Sequence, residues 1–328
     1  MSVYGLSALE LWFWTGIVRG RIFLIQRGAY SAPAGLATMD FALEKRQKLF
    51  SYSLLIPLFV MVAGIQLFPI IYAFVLSFTD RELFSTSWNF TGLLNYRYLV
   101  ESEEFWESLI NNIVYAGSCV VFQITVGLST SLLLIRKFKG NYYFRAIVTF
   151  PYLVPTIVAV LIFKWMFNDV FGIVNRALVS MGILDQAVGW FDPDRAMFSV
   201  VLVSVWRFFP FTILLFVPAL EAIPGELYEA ARVDGASPVQ QFFHITLPEI
   251  REVLFVVIIL RGIWMFNNFN VIWLLTGGGP AGATQHLPIL SYLQAFQEFD
   301  IGLGSATSVA GLLVLLVPML IYLRSTKK

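Results

Sequence analysis

The chain has 328 residues, of which 58% are hydrophobic and 13% charged, and its mean hydropathy is +0.75. The apolar share exceeds the roughly 45–50% typical of soluble domains, which excludes an ordinary soluble domain and indicates an integral membrane protein. The 22 Lys and Arg balance the 21 Asp and Glu, so no basic field is available for nucleic acid, and the single cysteine, Cys119, excludes an internal disulfide and predicts a packing residue.

Residues 1–48 precede the apolar part of the chain and are expected to form a cytoplasmic N-terminal extension. The stretch "LWFWTGIVRGRIFLIQ" is apolar, but Arg19 and Arg21 interrupt it before it could cross a bilayer. Two interpretations stay open for residues 1–38. They form an amphipathic helix in the membrane interface, or they lie upstream of a start at Met39.

Six apolar stretches follow, each close to the length of about 20 residues that crosses a bilayer as a helix. They lie at about 50–78, 108–135, 146–167, 197–218, 253–275 and 303–323. Residues 49–328 are therefore predicted to form an all-α, polytopic membrane domain with six spans.

Basic residues are concentrated in alternate connections, which predicts orientation because Lys and Arg stay on the cytoplasmic side. They are Lys45, Arg46 and Lys48 before span one, Arg136, Lys137, Lys139 and Arg145 between spans two and three, and Arg324, Lys327 and Lys328 after span six. The connection 276–302 has none. Both termini of the six-span core are therefore expected in the cytoplasm, with the connection between spans four and five on the same side.

That connection, residues 219–252, is polar, and we call it the polar hairpin. Glu226 to Val233 are good helix formers with acids near the start, and Gly235 is placed to end the helix in the left-handed conformation. The "SPVQ" that follows supplies an N-cap, a first-turn proline and a capping-box partner. The second helix is expected to close at Leu247 and Pro248. Capping alone fits equally a loop that only packs beneath its own bundle.

Seven fixed positions over twenty residues carry a resemblance to a known family. They match every fixed position of the EAA loop in the membrane subunits of binding-protein-dependent ABC importers: Glu229, Ala230, Ala231, Gly235, Ile245, Leu247 and Pro248. The stretches "FPIIYAFVLSFTD", "NNIVYAG", "PYLVPTIVAVLIFKWMF", "FNNFNVIWLLTGGGP" and "YLQAF" are similar to sugar-importer permeases of the maltose type. The resemblance covers about residues 50–323. The first external connection, 79–107, is too short for the external domain of the larger maltose permease.

The resemblance implies a six-helix transmembrane domain of the type I ABC importers, in the cytoplasmic (inner) membrane of a bacterium or archaeon. It implies a second permease subunit, different or identical, two ATPase subunits, an external periplasmic or lipid-anchored solute-binding protein, and a sugar substrate. ATP and Mg would be bound by the ATPases, because this chain has no GxxxxGK[ST] loop and needs no cofactor of its own. The glycine-rich residues 276–284 are interpreted as a flexible external turn that meets the binding protein, in preference to a substrate contact.

In that family the EAA loop is a coupling helix that docks in a groove of the ATPase. The resemblance implies that Glu229 contacts the ATPase and that Ala230 and Ala231 permit close docking. Gly235, after Asp234, makes the turn. The last three motif residues would seat the hairpin beneath span five: Ile245, Leu247 and Pro248.

Amides and aromatic rings in span five predict a substrate path, because polar groups inside spans are costly and face a cavity or another helix. Asn267, Asn268, Asn270 and Trp264 suit sugar hydroxyls and pyranose faces, and Gln123 in span two is a weaker candidate. Helical spacing places Asn268 about 100° from Asn267, so the three amides are not expected to line one pore. Contacts between helices would explain the same amides equally.

Three positive residues lie in the predicted spans. Arg207 and Lys164 are assigned to span ends, from which they would snorkel to the interface. Arg261, about two turns into span five, is expected to pair with an acid of the polar hairpin or of a partner subunit, in preference to serving an anionic substrate.

Two other functions compete with the importer. An ion-gradient-driven secondary transporter of a small polar solute would need an acid inside a span and an internal repeat of half-helices, and neither is visible. A membrane enzyme would need a nucleophile or metal cluster, and His244 and His286 lie far apart without ligands around them, so no metal site is predicted. The solute stays open among mono-, di- and oligosaccharides and glycerol phosphate esters.

Overall fold

The computed structural model describes residues 52, 53, 55–136 and 138–325. The predicted N-terminal extension, residues 1–48, lies outside the described residues, and its interpretation stays a prediction. The chain forms two units, Met1–Pro69 and Ile70–Lys328. The described part of the first unit is helical, and the sites considered below belong to the second unit.

Among the described residues, four helices are long and apolar enough to cross a membrane: Leu55–Leu76, Glu103–Leu134, Pro193–Glu221 and Ile301–Ser325, the last with its apolar part at Ile301–Leu320. Two bent pairs pass the same test: Asn141–Leu153 with Thr156–Met166, bent by 96°, and Arg251–Phe266 with Phe269–Leu275, bent by 45°. Counting each pair as one span gives the six predicted spans, numbered in chain order. The bends in spans three and five were not predicted.

Shorter helices occupy the connections on the side predicted to be external. They are Leu94–Glu101 after span one, Ile173–Ser180 after span three and Leu287–Phe296 between spans five and six. Isolated bridges join Thr79 to Phe90 and Glu82 to Asp300. The connections on this side are therefore ordered by short helices and by two isolated bridges.

Spans two and four form the centre of the bundle. Span two begins at Ser102, whose Oγ accepts a hydrogen bond from the Phe105 amide at 3.3 Å. A Cβ added to Gly127 would lie 1.7 Å from Oγ1 of Thr212, so the two spans approach closely only because residue 127 has no side chain. Cys119 is buried in the same region, as its predicted packing role requires.

The bend in span three follows from a proline. Pro155 disfavours the helical conformation of the residue before it, and Val154 is extended (φ −70°, ψ 130°). Nη1 of Arg207 donates to the carbonyl oxygens of Pro151 and Tyr152 at 3.0 and 2.7 Å. These carbonyls lie at the C-terminal end of a helix, where oxygens lack helical partners.

The prediction that Arg207 snorkels from a span end is therefore wrong. Arg207 lies in the middle of span four, is 9% exposed, and packs against the rings of Tyr152 and Phe208 at 5.4 and 5.2 Å. Its partner is a bend in a neighbouring span, which sequence spacing does not reveal. Lys164 is exposed in the last turn of Thr156–Met166, as predicted.

Candidate functional site

The first helix of the polar hairpin is Gly225–Val233, close to the predicted Glu226–Val233. Gly235 follows with φ +78°, in the left-handed conformation that its position predicts. The Ala236 amide donates to the Ala231 carbonyl at 2.9 Å and the Gly235 amide to the Arg232 carbonyl at 3.2 Å. These two bonds close the helix end and set the direction of the turn.

The second helix begins with the predicted capping box. Oγ of Ser237 accepts from the Gln240 amide at 3.3 Å, and Oε1 of Gln240 accepts from the Ser237 amide at 2.7 Å. The helix runs from Pro238 through a wider π-helical turn at Phe242–Thr246 and then through Leu247–Glu249.

The prediction that Leu247 and Pro248 close this helix is wrong. Both residues are helical, and the interruption falls at Ile250 (φ −90°, ψ 2°), directly before span five. A proline lacks the N–H of a regular helix and its ring clashes with the carbonyl four residues earlier, and the wider turn before Pro248 accommodates both effects.

The two helices of the polar hairpin are joined to each other and to the bundle. The Tyr228 hydroxyl and Oγ1 of Thr246 are hydrogen bonded at 2.9 Å. Phe242 packs on a buried apolar cluster to which three spans and the end of the hairpin contribute. Its members are Leu128, Phe216, Leu220, Ile250 and Val257. The hairpin is therefore in direct contact with residues of spans two, four and five.

The outer face of the polar hairpin is exposed. Its apolar side chains include Val233, Val239 and Phe243, which are 87%, 65% and 57% exposed. Of the motif residues, Glu229, Ala230 and Pro248 are exposed and Leu247 is half-buried. The other three motif residues, Ala231, Gly235 and Ile245, line a cavity of about 350 Å³ at the turn together with Asp234.

A second cavity, the central pocket, lies among spans three, four and five and has a volume of about 350 Å³. Its lining combines aromatic rings with amides and one guanidinium: Tyr152, Thr156, Phe208, Arg261, Trp264, Met265, Asn267, Asn268, Phe269 and Asn270. The structure thus brings together four of the five residues predicted for the substrate path.

The prediction that the three amides cannot line one pore is wrong. It assumed a continuous helix, but span five ends its first half at Phe266 and starts its second at Phe269. Oδ1 of Asn268 caps the second half by accepting from the Val271 amide at 3.4 Å. Because the backbone turns between the halves, Asn267, Asn268 and Asn270 all reach the central pocket.

Arg261 is buried, with 1% exposure, and lines the central pocket. Its Nε donates to Oε1 of Gln123 at 2.7 Å, and the rings of Phe208, Trp264 and Phe211 lie 5.2, 5.5 and 5.7 Å from its guanidinium carbon. No acid pairs with it in the described part of the chain, so the predicted pairing with the polar hairpin is wrong. Aromatic faces and an amide stabilise the charge instead.

Gln123 does not line the central pocket. It is fully buried, and besides accepting from Arg261 its Nε2 donates to the Ser204 carbonyl at 3.4 Å and to Sδ of Met265 at 3.3 Å. Gln123 therefore acts on the pocket by orienting Arg261.

Two further residues hold the bend of span five, and sequence reasoning gave neither of them a role. Nδ2 of Asn112 in span two donates to the Phe266 carbonyl at 3.3 Å, and Nε2 of His286 lies 3.2 Å from the Asn268 carbonyl. Burial lowers the pKa of His286 to about 4, so the ring is neutral near pH 7, with its proton on Nε2 facing that oxygen. Asn112 lies in the quoted "NNIVYAG" stretch, the one sequence signal that pointed to it.

Residues 276–284, interpreted above as a flexible turn, are held by internal hydrogen bonds. Oγ1 of Thr284 lies 2.7 Å from Oγ1 of Thr276 and donates to the Gly279 carbonyl at 2.9 Å. Nδ2 of Asn111 in span two donates to the Gly282 carbonyl at 3.0 Å. The loop therefore has a defined conformation, and it is hydrogen bonded to span two.

Comparison with protein families matches residues 123–327 to the model of the family described as "Binding-protein-dependent transport system inner membrane component". Among similar proteins, the trehalose/maltose transport system permease protein MalF of Thermococcus litoralis is 35% identical over 283 residues, covering 86% of this chain and 95% of that protein. The inner membrane ABC transporter permease protein YcjO of Escherichia coli is 33% identical over 275 residues, covering 83% of this chain and 92% of that protein. The sulfoquinovosyl glycerol transport system permease protein SmoG of Agrobacterium fabrum is 30% identical over 284 residues, covering 86% of this chain and 92% of that protein.

Two crystal structures have a similar fold. A chain of a bacterial ABC transporter involved in the import of the acidic polysaccharide alginate has a TM-score of 0.75 at 21% identity, covering 88% of this chain and 98% of that chain. A chain of the bacterial alginate ABC transporter in complex with an alginate pentasaccharide-bound periplasmic protein has a TM-score of 0.73 at 19% identity, covering 85% and 94%. The predicted all-α importer fold is thereby confirmed.

Proposed function

The chain belongs to the binding-protein-dependent transport system inner membrane components, and it is a permease subunit of an ABC importer and not an enzyme. On that premise we propose that it carries a sugar and that two partner ATPases act on the polar hairpin. The observation that carries the proposal is the polar hairpin itself. Its outer side carries exposed apolar side chains, and its other side packs on buried residues of three spans.

The coupling role rests on how the polar hairpin is attached. A push on its exposed face reaches Phe242 and Ile250, which pack with Phe216 of span four and Leu128 of span two. Close-packed interiors transmit such displacements because they do not deform continuously. ATPase closure would therefore favour one orientation of the spans over the other, a population shift between outward-facing and inward-facing states.

The sugar assignment rests on the central pocket. Three amides offer donors and acceptors for hydroxyl groups, and Trp264 offers a flat apolar surface beside them. The names of relatives support the same class, since they refer to trehalose, maltose and sulfoquinovosyl glycerol. In this proposal Arg261, fixed by Gln123, donates hydrogen bonds from the wall of the pocket.

The remaining partners follow from the family premise. A second permease subunit would complete the path, an external solute-binding protein would deliver the sugar, and ATP and Mg would bind only to the ATPases. A similar fold has been crystallised with a sugar-bound periplasmic protein, which supports the delivery step. The distribution of Lys and Arg supports a cytoplasmic position for the polar hairpin and for both ends of the six-span core.

The test is purification of the tagged chain from gently solubilised membranes, with its partners identified by mass spectrometry. We expect an ATPase and a second permease to co-purify. Recovery of this chain alone, under conditions that keep known importers intact, would favour the ion-gradient alternative. Glu229→Lys should lower recovery of the ATPase but not of the second permease, and Glu226→Lys, the same charge change one turn earlier and outside the motif, is the matched control.

A further inference from the structure

The bend of span five is held from outside the span. The carbonyl of Phe266, the last residue of the first half, accepts a hydrogen bond from Asn112 at 3.3 Å. The carbonyl of Asn268, directly before the second half, accepts from Nε2 of His286 at 3.2 Å. Asn112 and His286 are both fully buried, whereas Asn268 is half-buried where it lines the central pocket.

The same two residues also make hydrogen bonds to the start of the following helix, Asn112 through its side chain and His286 through its backbone carbonyl. Oδ1 of Asn112 accepts from the Leu287 amide at 3.2 Å, and the His286 carbonyl accepts from the amides of Ile289 and Leu290 at 2.9 Å each. His286 is therefore the residue at which the external loop turns into the helix Leu287–Phe296. One hydrogen-bonded group joins that turn to the bend.

The second half of span five is attached to the external connection at its C-terminal end and along one face. Its C-terminal end is tied to the loop by Thr276 and Thr284, whose Oγ1 atoms lie 2.7 Å apart. Its outer face packs on Tyr292 of the following helix, with ring centroids 5.3 Å from Phe269 and 4.8 Å from Trp273. We call residues 269–296 the external unit; its first helix also packs on Thr156–Met166 and on span four, and Leu287–Phe296 packs on span six.

The central pocket has walls on both sides of this bend. Arg261 and Trp264 belong to the first half of span five, whereas Phe269 and Asn270 belong to the external unit. A small rotation at Asn267 and Asn268 therefore changes the distance between the two walls.

We infer that His286 and Asn112 are positioning residues for the solute: they hold the external unit against the bend of span five and so set the width of the central pocket. The inference rests on the proposed function, because it takes the central pocket to be the solute path. Force applied to the external loop, for example by a docked binding protein, reaches the pocket amides through these two side chains. Loss of either hydrogen bond removes the donor from the carbonyl of Phe266 or of Asn268 and weakens the hold on the bend.

The experiment uses the purified importer complex with Thr156→Cys as the reporter in a Cys119→Ala background, because Thr156 lines the central pocket, is half-buried and is not one of the proposed sugar-binding amides. A charged methanethiosulfonate reports how often the pocket wall opens, and it requires neither a known solute nor ATP. His286→Leu removes the donor. We expect it to raise the labelling rate about tenfold, equivalent to about 1.4 kcal/mol, which is the order of one hydrogen bond. His286→Gln keeps an N–H near the position of Nε2 and should restore the parent rate.

The matched control is Asn175→Leu. Asn175 is a buried amide in the external connection after span three, where its Nδ2 donates to the Val188 carbonyl at 2.9 Å. It should not change the labelling rate, although it removes four hydrogen bonds of a buried side chain. If His286→Leu is not recovered as folded complex, Asn112→Ala tests the other attachment in the same way.

Equal labelling rates in the parent and in the donor-less variant would overturn the inference, as would an equal rise in the Asn175→Leu control. Uptake assays on complexes without the reporter cysteine, with the native Thr156 and Cys119, separate this result from the proposed function. If the parent complex takes up sugar, His286→Leu should raise KM, and His286→Gln should return KM to the parent value. Absence of sugar uptake by the parent would contradict the proposed function and leave the labelling result standing.

Discussion

The turn of the polar hairpin offers a direct test of coupling through Gly235. Its φ is +78°, and no atom lies within 4 Å of the position that a Cβ would take. Within this chain a side chain would therefore meet no steric contact, and the cost of a substitution to the fold of the hairpin comes from the backbone. That cost is roughly 1–2 kcal/mol for an ordinary L residue in the left-handed region, and a β-branched residue is worse.

A penalty of about 1.4 kcal/mol lowers the population of the native turn about tenfold relative to alternatives. We therefore expect Gly235→Ala to reduce recovery of the ATPase and ATP-driven uptake, and Gly235→Val to reduce both further. Gly235→Asn should retain most of the activity, because asparagine tolerates this conformation. Gly225→Ala is the control, since Gly225 begins the first helix of the same hairpin without a positive φ and with equally open surroundings.

The assay compares uptake and ATPase recovery among these variants at equal amounts of protein in the membrane. The order expected is parent, Asn, Ala and Val. Uptake by the Val variant equal to that of the parent would refute the coupling role of the turn. Equal losses in the Asn and Ala variants would refute the backbone argument while leaving a role for the position.

Three other predictions concern the bundle. Gly127→Ala should lower the unfolding temperature of the purified protein, because its Cβ would collide with Thr212, whereas Gly117→Ala in the same helix meets nothing within 4 Å and should not. Arg207→Met leaves carbonyls at the bend of span three without their donor, which costs about 1–3 kcal/mol, so the same measurement should show a loss that Arg207→Lys partly restores. The pKa of His286 is lowered from 6.5 to about 4, so the unfolded chain binds more protons than the folded protein between these values. Stability should therefore fall as the pH drops from about 6.5 towards 4, and His286→Gln should remove this part of a pH series of unfolding temperatures.

The polar hairpin was largely predictable because its determinants are local. Helix caps, a glycine at a helix end and a proline in a first turn act within a few residues, so the bounds of the first helix and the capping box were confirmed. The π-helical turn before Pro248 was missed, because the sequence rule that proline ends a helix does not include a wider turn that accommodates it.

The central pocket was only partly predictable, because its geometry depends on contacts between spans. Residue types identified the amides of span five, but spacing on an ideal helix separated side chains that the bend brings together. The partners of Arg207 and Arg261 are carbonyls, an amide and rings on other helices, and no pattern along the chain connects them.

The central claim is most directly tested by solute uptake into proteoliposomes that contain the purified complex, its solute-binding protein and a labelled disaccharide such as trehalose or maltose. Uptake should require hydrolysable ATP on the side of the ATPases and persist when ionophores remove every ion gradient. Glu229→Lys should abolish it, and Glu226→Lys should not. Uptake that follows an imposed proton or sodium gradient without ATP would contradict the importer mechanism.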